Sequence, residues 1–350
     1  MDIKLTKFKF TTCAIPAFAV LLSGCGGGGG DPTLVGSNNQ GGSGTTAQYD
    51  YAQGTSSTQA SADAALSLLN GTNNGNDFVA TTDTNARIAW IDWWTGKNVK
   101  VGIADDFNTN NVRDTHGDDV AFVIQSIAPE ATYSRIDALG WWPDMSTQEA
   151  LEYFEANYYH IINASFGIER TDVSEQNFNS RLQSAIANFD QEAENSKQAL
   201  IIYAAGNSGE SCAGRRGEDC DLQQAIVSGL RDAGYTAGEK TIFVGALADG
   251  SNEMADYSLI AGDLKNDFLV AHDDVATYGD DSGTSFAAPR VTGAAALVRH
   301  KFPNLTSDQL KQVLLQTADD LGDTGVDEIY GHGKLSIVNA LSPVGRVVPR

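Results

Sequence analysis

One stretch near the C-terminus restricts the possible folds more than any other part of the sequence. Residues 283–298 read GTSFAAPRVTGAAALV, so small and apolar residues occupy every side of the helix that this stretch predicts. A helix without a polar face is buried in a large core rather than lying on a surface. Pro289 fits a first helical turn, where the amide that proline lacks would have no partner anyway. The chain is therefore predicted to enclose this helix.

A serine lies at the start of the predicted helix. Ser285 follows Gly283 and Thr284, at the positive end of the helix dipole and beside backbone N–H groups without partners. A hydroxyl in this place suits a reaction that builds negative charge on an oxygen. Serine becomes a good nucleophile only when a base takes its proton and an acid orients that base, so the chain should supply both.

Length and charge limit the classes of function. The chain has 350 residues, of which 41% are hydrophobic, and this allows one large secreted domain with additional segments. The formal net charge of −22 argues against binding nucleic acid, or an anionic membrane, through a basic face.

The N-terminus has the pattern of a secretion signal. Three lysines precede the apolar run Cys13–Leu22, which is too short to span a membrane. The run ends in Leu-Ser-Gly-Cys, which resembles a bacterial lipobox and implies a signal peptide over residues 1–24, with lipidation of Cys25. By the same analogy, Gly26 after the cysteine favours the outer membrane. The alternative is an ordinary signal peptide whose cleavage site falls near a cysteine.

Two cysteines remain in the mature chain. Cys212 and Cys220 form an even pair in an oxidising compartment, and a polar, glycine-containing loop separates them. This arrangement predicts a short-loop disulfide, since a metal site would need more ligands than the pair offers.

Composition divides the rest of the chain into a tether and a globular domain. Residues 25–85 are rich in Gly, Ser, Thr and Asn, which predicts a flexible tether with a short helix over 61–70 and no folded pro-domain. Over 86–342, apolar strands, one of them predicted over 241–247, alternate with amphipathic helices, one of them predicted over 177–196. This alternation predicts an α/β fold with a mostly parallel sheet covered on both faces. Residues 343–350 are assigned to a C-terminal tail.

One histidine has the surroundings of a catalytic base. His116 opens a predicted helix, whereas the other four histidines occupy positions typical of packing or surface residues. His116-Gly117 resembles the start of the His-Gly-Thr-His-Val-Ala segment of the subtilisin-like serine proteases. Gly-Thr-Ser-Phe-Ala-Ala-Pro around Ser285 resembles that family's Gly-Thr-Ser-Met-Ala-Ala-Pro motif. The resemblance covers about residues 86–341 and implies a three-layer α/β sandwich in which Ser285 is the nucleophile and His116 its base.

The acid that orients His116 is expected at the carboxyl end of a buried strand. The sequence Val-Lys-Val-Gly-Ile-Ala-Asp ends in Asp105 and matches the family's pattern of a strand followed by Asp. The adjacent Asp106 is the alternative, because a shift of one residue points a side chain to the other face of a strand. The chain order Asp, His, Ser is the order found in subtilisin.

Two further motifs follow predicted strands. Ala-Ala-Gly-Asn, ending at Asn207, resembles the family segment whose amide stabilises the oxyanion, with the Ser285 backbone N–H as the second donor. Ser165-Phe166-Gly167 resembles the family's substrate-binding strand, to which an extended peptide adds by main-chain hydrogen bonds.

The opposite edge of the cleft is assigned only by position. Trp141 and Trp142 fall where the family has this edge and could form an apolar subsite, with a role in packing as the alternative.

The surroundings of His116 depart from the family pattern. Asp118 and Asp119 replace the Thr and His of the motif, and a carboxylate close to the imidazole would favour its protonated form. The loop before His116 has Asn and Asp at alternate positions but lacks the glycine and distal Glu of an EF-hand. Calcium is common in the family, but the sequence does not locate a site for it.

These features predict a serine endopeptidase that acts on polypeptides through an acyl-enzyme and requires no cofactor for the chemistry. The protein is expected to be a monomer in the cell envelope, anchored to the outer membrane by its lipid and facing the periplasm or the exterior. The alternative is a catalytically weak or inactive lipoprotein that uses the same fold to bind peptides at the surface. The altered surroundings of His116 and the lack of a pro-domain keep this alternative open.

Overall fold

Buried apolar strands form the centre of the fold, as a sheet with helices on both faces requires. A computed structural model describes residues 49–72, 84–107, 115–139, 145–209, 212, 216–273 and 282–348. All of these belong to one compact unit, residues 46–350. The described strands are β1 (Lys100–Asp105), β2 (Thr132–Asp137), β3 (Ile161–Ala164), β4 (Leu200–Ala204), β5 (Thr241–Leu247) and β6 (Phe268–His272).

The six strands make one parallel sheet in the order β2-β1-β3-β4-β5-β6. The α/β sandwich predicted from the alternating pattern is therefore confirmed. The described α-helices are α1 (Gln59–Thr72), α2 (Ala86–Ile91), α3 (His116–Ile127), α4 (Thr147–Ala156), α5 (Glu175–Ala187), α6 (Gln191–Ser196), α7 (Gly217–Cys220), α8 (Leu222–Asp232), α9 (Thr284–Lys301), α10 (Ser307–Gln316) and α11 (Ile337–Ala340).

Helix α9, the predicted buried helix, packs against the sheet together with α3. All but three of its eighteen residues are buried, as expected for a helix without a polar face. Its small residues allow close contact: a Cβ added at Gly293 would lie 2.7 Å from the Cβ of Ile127 in α3. On the other face of the sheet, Phe154 of α4 fills the space that Gly102 of β1 leaves without a side chain.

Some predicted elements differ from those observed. The helix expected over 177–196 is two helices, α5 and α6, because Asp190 begins a second helix by accepting the N–H groups of Glu192 and Ala193. Strand β6 and helix α8 were not predicted. Pro289 lies in the second turn of α9, since the helix begins at Thr284.

Residues 49–62, in the middle of the predicted tether, pack against the domain. Tyr49 is buried in the main core, and the Tyr51 ring lies edge-on to Phe302, with ring centroids 5.4 Å apart. The Gly54 N–H donates to the Lys301 carbonyl at the end of α9. Residues 49–62 are therefore part of the packed domain, which starts before the boundary predicted at Ala86.

His300 holds this segment in place. Its Nδ1 accepts the backbone N–H groups of Thr95 and Gly96 at 3.1 and 3.2 Å, so the proton of the neutral ring is on Nε2. Nε2 then donates to the Thr55 carbonyl, 3.0 Å away. Burial lowers the pKa of His300, against the opposing effects of the Thr55 carbonyl and the Glu130 carboxylate. The residue is structural, as the sequence predicted.

We expect protonation of His300 to destabilise the fold, because the cation cannot accept the two N–H groups. A histidine whose pKa is lowered by folding contributes stability that is complete above the unfolded pKa, about 6.5, and is lost as pH falls toward the folded value. His300→Ala should reduce the free energy of unfolding at pH 7.5 by about 2 kcal/mol. Denaturant unfolding from pH 7.5 to 5 should also show a weaker pH dependence in the variant. Equal pH dependence in the two proteins would contradict this role.

No described helix combines the length and hydrophobicity needed to cross a membrane.

Candidate active site

The candidate residues meet at one edge of the sheet. Asp105 is the last residue of β1, Ser165 follows β3 directly, and Asn207 lies shortly after β4. The N-terminus of α9, with Ser285 in its first turn, meets the same edge. This is the carboxyl edge of the strands, where open α/β sheets bind their ligands.

Asp105 and His116 form a close pair. Asp105 is fully buried, and its Oδ1 lies 2.6 Å from Nδ1 of His116, whose side chain is 35% exposed. The neighbouring Asp106 donates its backbone N–H to the same Oδ1 at 2.8 Å. Of the two sequence candidates for the orienting acid, the structure therefore brings Asp105 into contact with the imidazole.

The loop that follows β1 fixes the start of the His116 helix. The Gly117 N–H donates to the Asp106 carbonyl, and a Cβ at Gly117 would lie only 2.4 Å from that oxygen. Thr115 caps the helix by accepting the N–H of Asp118. A residue larger than glycine at 117 would therefore push His116 away from Asp105.

Burial and charge act in opposite directions on the pair. Burial lowers the pKa of His116, but the hydrogen bond and charge of Asp105, with the charges of Asp119 and Asp106, outweigh burial and raise it. Burial raises the pKa of Asp105, although its contact with His116 opposes this change. The result is a histidine that holds a proton more strongly than a free imidazole.

A set of buried hydrogen bonds fixes Ser285. Pro289 has no N–H to bond to the Ser285 carbonyl four residues earlier, and that carbonyl accepts the Ser165 hydroxyl at 2.8 Å instead. Asn163 donates to the Ser165 hydroxyl and accepts from Thr292 of α9. The proline therefore makes a carbonyl available for a link between the helix and the sheet.

The Ser285 hydroxyl itself donates to the Ser165 carbonyl at 3.2 Å. Within the described residues it has no hydrogen bond to His116, although the next residue, Phe286, contacts the imidazole with ring centroids 5.4 Å apart. Catalytic hydrogen bonds are often absent or long without substrate and form in the complex.

Asn207 presents a hydrogen-bond donor beside Ser285. Its Oδ1 accepts both the backbone N–H and the hydroxyl of Thr284, at 2.9 and 3.0 Å. Because a backbone N–H can only donate, this contact fixes the orientation of the amide and leaves Nδ2 as the free donor end. Asn207 is exposed, so an incoming oxygen can reach it.

Sequence reasoning missed the residue that holds the loop before Ser285. Asp273 is buried directly after β6, and its Oδ2 accepts the N–H of Gly283 at 2.8 Å and the hydroxyl of Tyr257. The signal was the apolar run Phe-Leu-Val-Ala followed by His and Asp, a pattern similar to the one that identified Asp105. Recognising β6 would have revealed it.

The remaining site predictions have different outcomes. Ser165 is buried, Phe166 packs edge-on to Tyr203, and Gly167 is exposed, so a peptide can approach this segment. The predicted disulfide joins Cys212 and Cys220. Trp141, Trp142, Cys25 and the Asn-rich loop before His116 lie outside the described residues. No group of His, Cys, Asp or Glu side chains among the described residues could hold a metal ion.

A family model that matches most of the domain identifies the family of this chain. The model of the subtilase family, Peptidase_S8, matches residues 97–333, and the chain therefore belongs to this family of serine peptidases. Subtilisin BL of Lederbergia lenta is 29% identical over 226 residues, which cover 62% of this chain and 69% of the relative. A lanthipeptide protease shares the fold with a TM-score of 0.54 at 20% identity, covering 77% of this chain and 94% of its own.

Other relatives are much longer proteins. Serotype-specific antigen 1 of Mannheimia haemolytica is 30% identical over 43% of this chain, which spans 16% of the relative. The autotransporter lipoprotein NalP of Neisseria meningitidis is 48% identical over 17% of this chain, which spans 6% of that protein.

We expect the charge of Asp119 to set part of the His116 pKa. Asp119→Asn should lower this pKa, because a carboxylate that favours the imidazolium is removed. Asp118→Asn is the matched control, since Asp118 bonds to Arg135 and is not among the groups that shift His116. The measurement is an NMR titration of the His116 ring protons. Overlapping titration curves for wild type and Asp119→Asn would contradict the prediction.

Proposed function

We propose that the protein is a serine endopeptidase that cleaves polypeptides through an acyl-enzyme intermediate on Ser285. The observation that supports this most strongly is the contact of the buried Asp105 with His116 beside the N-terminus of α9. A carboxylate that holds Nδ1 of an imidazole leaves Nε2 free to take a proton from a hydroxyl. Membership of the subtilase family agrees with this role.

The proposed reaction begins when the Ser285 hydroxyl turns from the Ser165 carbonyl toward His116. As Oγ attacks the peptide carbonyl, Nε2 of His116 accepts its proton, and Asp105 stabilises the imidazolium that forms. His116 then gives the proton to the leaving amine. Water then attacks the acyl carbonyl as His116 accepts its proton, and His116 returns this proton to Oγ of Ser285 as the acyl group leaves as a carboxylic acid.

The oxyanion of each tetrahedral intermediate would meet two donors. Nδ2 of Asn207 is one, since Thr284 holds the amide with this end free. The Ser285 backbone N–H is the other, because the first amides of a helix have no intrahelical acceptor. Because Thr284 fixes the Asn207 amide before reaction, the transition state would gain this hydrogen bond without rearrangement of the side chain.

The substrate would bind as an extended strand along Ser165, Phe166 and Gly167, by main-chain hydrogen bonds. This mode favours an unfolded or exposed segment of a protein. Chemistry of this kind requires no cofactor, and we propose a monomer with no role for calcium in the catalytic steps.

A position in the cell envelope is part of the proposal. The Leu-Ser-Gly-Cys sequence would anchor the protein at the outer membrane through a lipid on Cys25. One relative, NalP, is an autotransporter lipoprotein, and a shared place in the envelope would agree with that sequence.

A fluorophosphonate probe tests the proposed nucleophile, because such probes react with a serine that an adjacent base activates. We expect labelling of the wild type, loss of labelling in Ser285→Ala, and a reduction of at least about a hundredfold in His116→Ala. Ser196→Ala, at an exposed helix position, is the control and should label like the wild type. A wild-type protein that stays unlabelled while a control subtilisin reacts would favour the peptide-binding alternative.

A further inference from the structure

Two carboxyl groups lie beneath the segments that form the candidate cleft. Asp221 underlies Gly167 of the predicted substrate-binding segment, and Glu169 underlies Gly206, which precedes Asn207. The backbones of Glu169 and Asp221 are themselves paired in an antiparallel bridge. The two acidic side chains therefore come from neighbouring segments on the side of the cleft next to Asn207.

One oxygen of Asp221 has no hydrogen-bond partner. Asp221 is 1% exposed, and its Oδ1 caps α8 by accepting the N–H of Gln224 at 3.0 Å. Its Oδ2 makes no hydrogen bond within the described part of the chain. A Cβ on Gly167 would lie only 2.4 Å from Oδ2, so the oxygen lies directly under an exposed glycine. Helix capping explains one oxygen of the carboxylate; the nearby Ile168 N–H acts on the carboxyl but does not reach hydrogen-bond geometry with Oδ2.

Glu169 connects this carboxyl group to the reaction site. Its Oε1 accepts the backbone N–H of Asn207 and would lie 3.3 Å from a Cβ at Gly206. Gly167 has no side chain that would cover Asp221, whereas the Leu259 side chain lies beside Gly206, 2.8 Å from the position of a Cβ there. The carboxylates are therefore next to the donor proposed to bind the scissile carbonyl oxygen.

Among the described residues, no cation forms an ion pair with Asp221 or Glu169. The two nearest described arginines along the chain have other partners: the Arg170 guanidinium lies over the Phe178 ring, and Arg216 pairs with Glu218 and Asp263. Burial raises the pKa of Asp221 to about 8, and the charge of Glu169 adds to this rise, while the N–H groups of Gln224, Gln223 and Ile168 oppose it. A pKa of about 8 keeps Asp221 largely protonated at neutral pH, and a cation beside the carboxyl would favour its ionised form, so the site suits a cationic ligand.

We propose that Asp221, with Glu169, binds the lysine or arginine side chain of the substrate residue whose carbonyl Ser285 attacks. This inference rests on the proposed peptidase function and names the substrate class. When Asn207 holds that carbonyl oxygen, the side chain of the same residue is close to Gly167 and Gly206. An ammonium or guanidinium there would supply the missing partner of Asp221 Oδ2, and a neutral side chain would leave the carboxyl unpaired.

Asp221→Asn separates this role from helix capping, because asparagine caps a helix as well as aspartate does. The probes are two peptide amides that differ only in lysine or norleucine before the scissile bond. The ratio of their kcat/KM values should favour lysine in the wild type and fall roughly 30-fold or more in Asp221→Asn. Glu169→Gln should reduce the ratio as well.

Asp190→Asn is the matched control, since Asp190 caps α6 in the same way at the surface. Its ratio should equal that of the wild type. Equal cleavage of both peptides by the wild type, or an unchanged ratio in Asp221→Asn, would overturn the inference while leaving the peptidase function intact.

Binding of benzamidine, a small aromatic cation, tests the site without catalysis. Calorimetry on Ser285→Ala should detect binding that is weakened at least about tenfold by adding Asp221→Asn and unchanged by adding Asp190→Asn. If neither peptide is cleaved and the fluorophosphonate does not react, the peptidase function fails. Benzamidine binding that depends on Asp221 would then still support a cation site, and absence of binding would overturn it.

Discussion

Burial of helix α9 is the constraint on which the rest of the structure depends. A helix with no polar side must be enclosed, and here the sheet and helix α3 enclose it. The same packing brings the first turn of α9 to the carboxyl ends of the strands, where Asp105, Ser165 and Asn207 lie. The site is therefore a consequence of how the core packs, since the nucleophile belongs to a buried helix and its partners lie at the ends of the strands or at the start of α3.

Polar contacts within this core give the site its geometry. Thr292, Asn163 and Ser165 form a chain of hydrogen bonds that ends at the Ser285 carbonyl, which is available because Pro289 cannot bond to it. Buried polar groups are stabilising when each has a partner, and such networks favour one arrangement over others. Asp273 and Asn207 hold Gly283 and Thr284 in the same manner. Ser285 is thus held through the two residues before it and through its own carbonyl.

The sequence was most informative where chemistry and periodicity coincide. Strand β5 was predicted with its observed bounds, and the choice of Asp105 over Asp106 agrees with the contact to His116. Interactions between distant segments could not be predicted in this way. The packing of residues 49–62 depends on His300, which is far away in the sequence, and a polar segment that docks by backbone hydrogen bonds resembles a flexible one in composition. The sequence does not indicate a role for Asp221, because the position of its second oxygen under Gly167 depends on the pairing of segments distant in sequence.

The central claim is that Asp105 and His116 activate Ser285 for acyl transfer. Its most direct test is rapid mixing with an activated ester such as p-nitrophenyl acetate, followed by acid quenching and peptide mass mapping. The account predicts a stoichiometric burst of p-nitrophenol and an acetyl group on Ser285, both absent in Ser285→Ala and greatly slowed in His116→Ala. Release of p-nitrophenol without acetylation of Ser285, or acetylation at the same rate without His116, would contradict it.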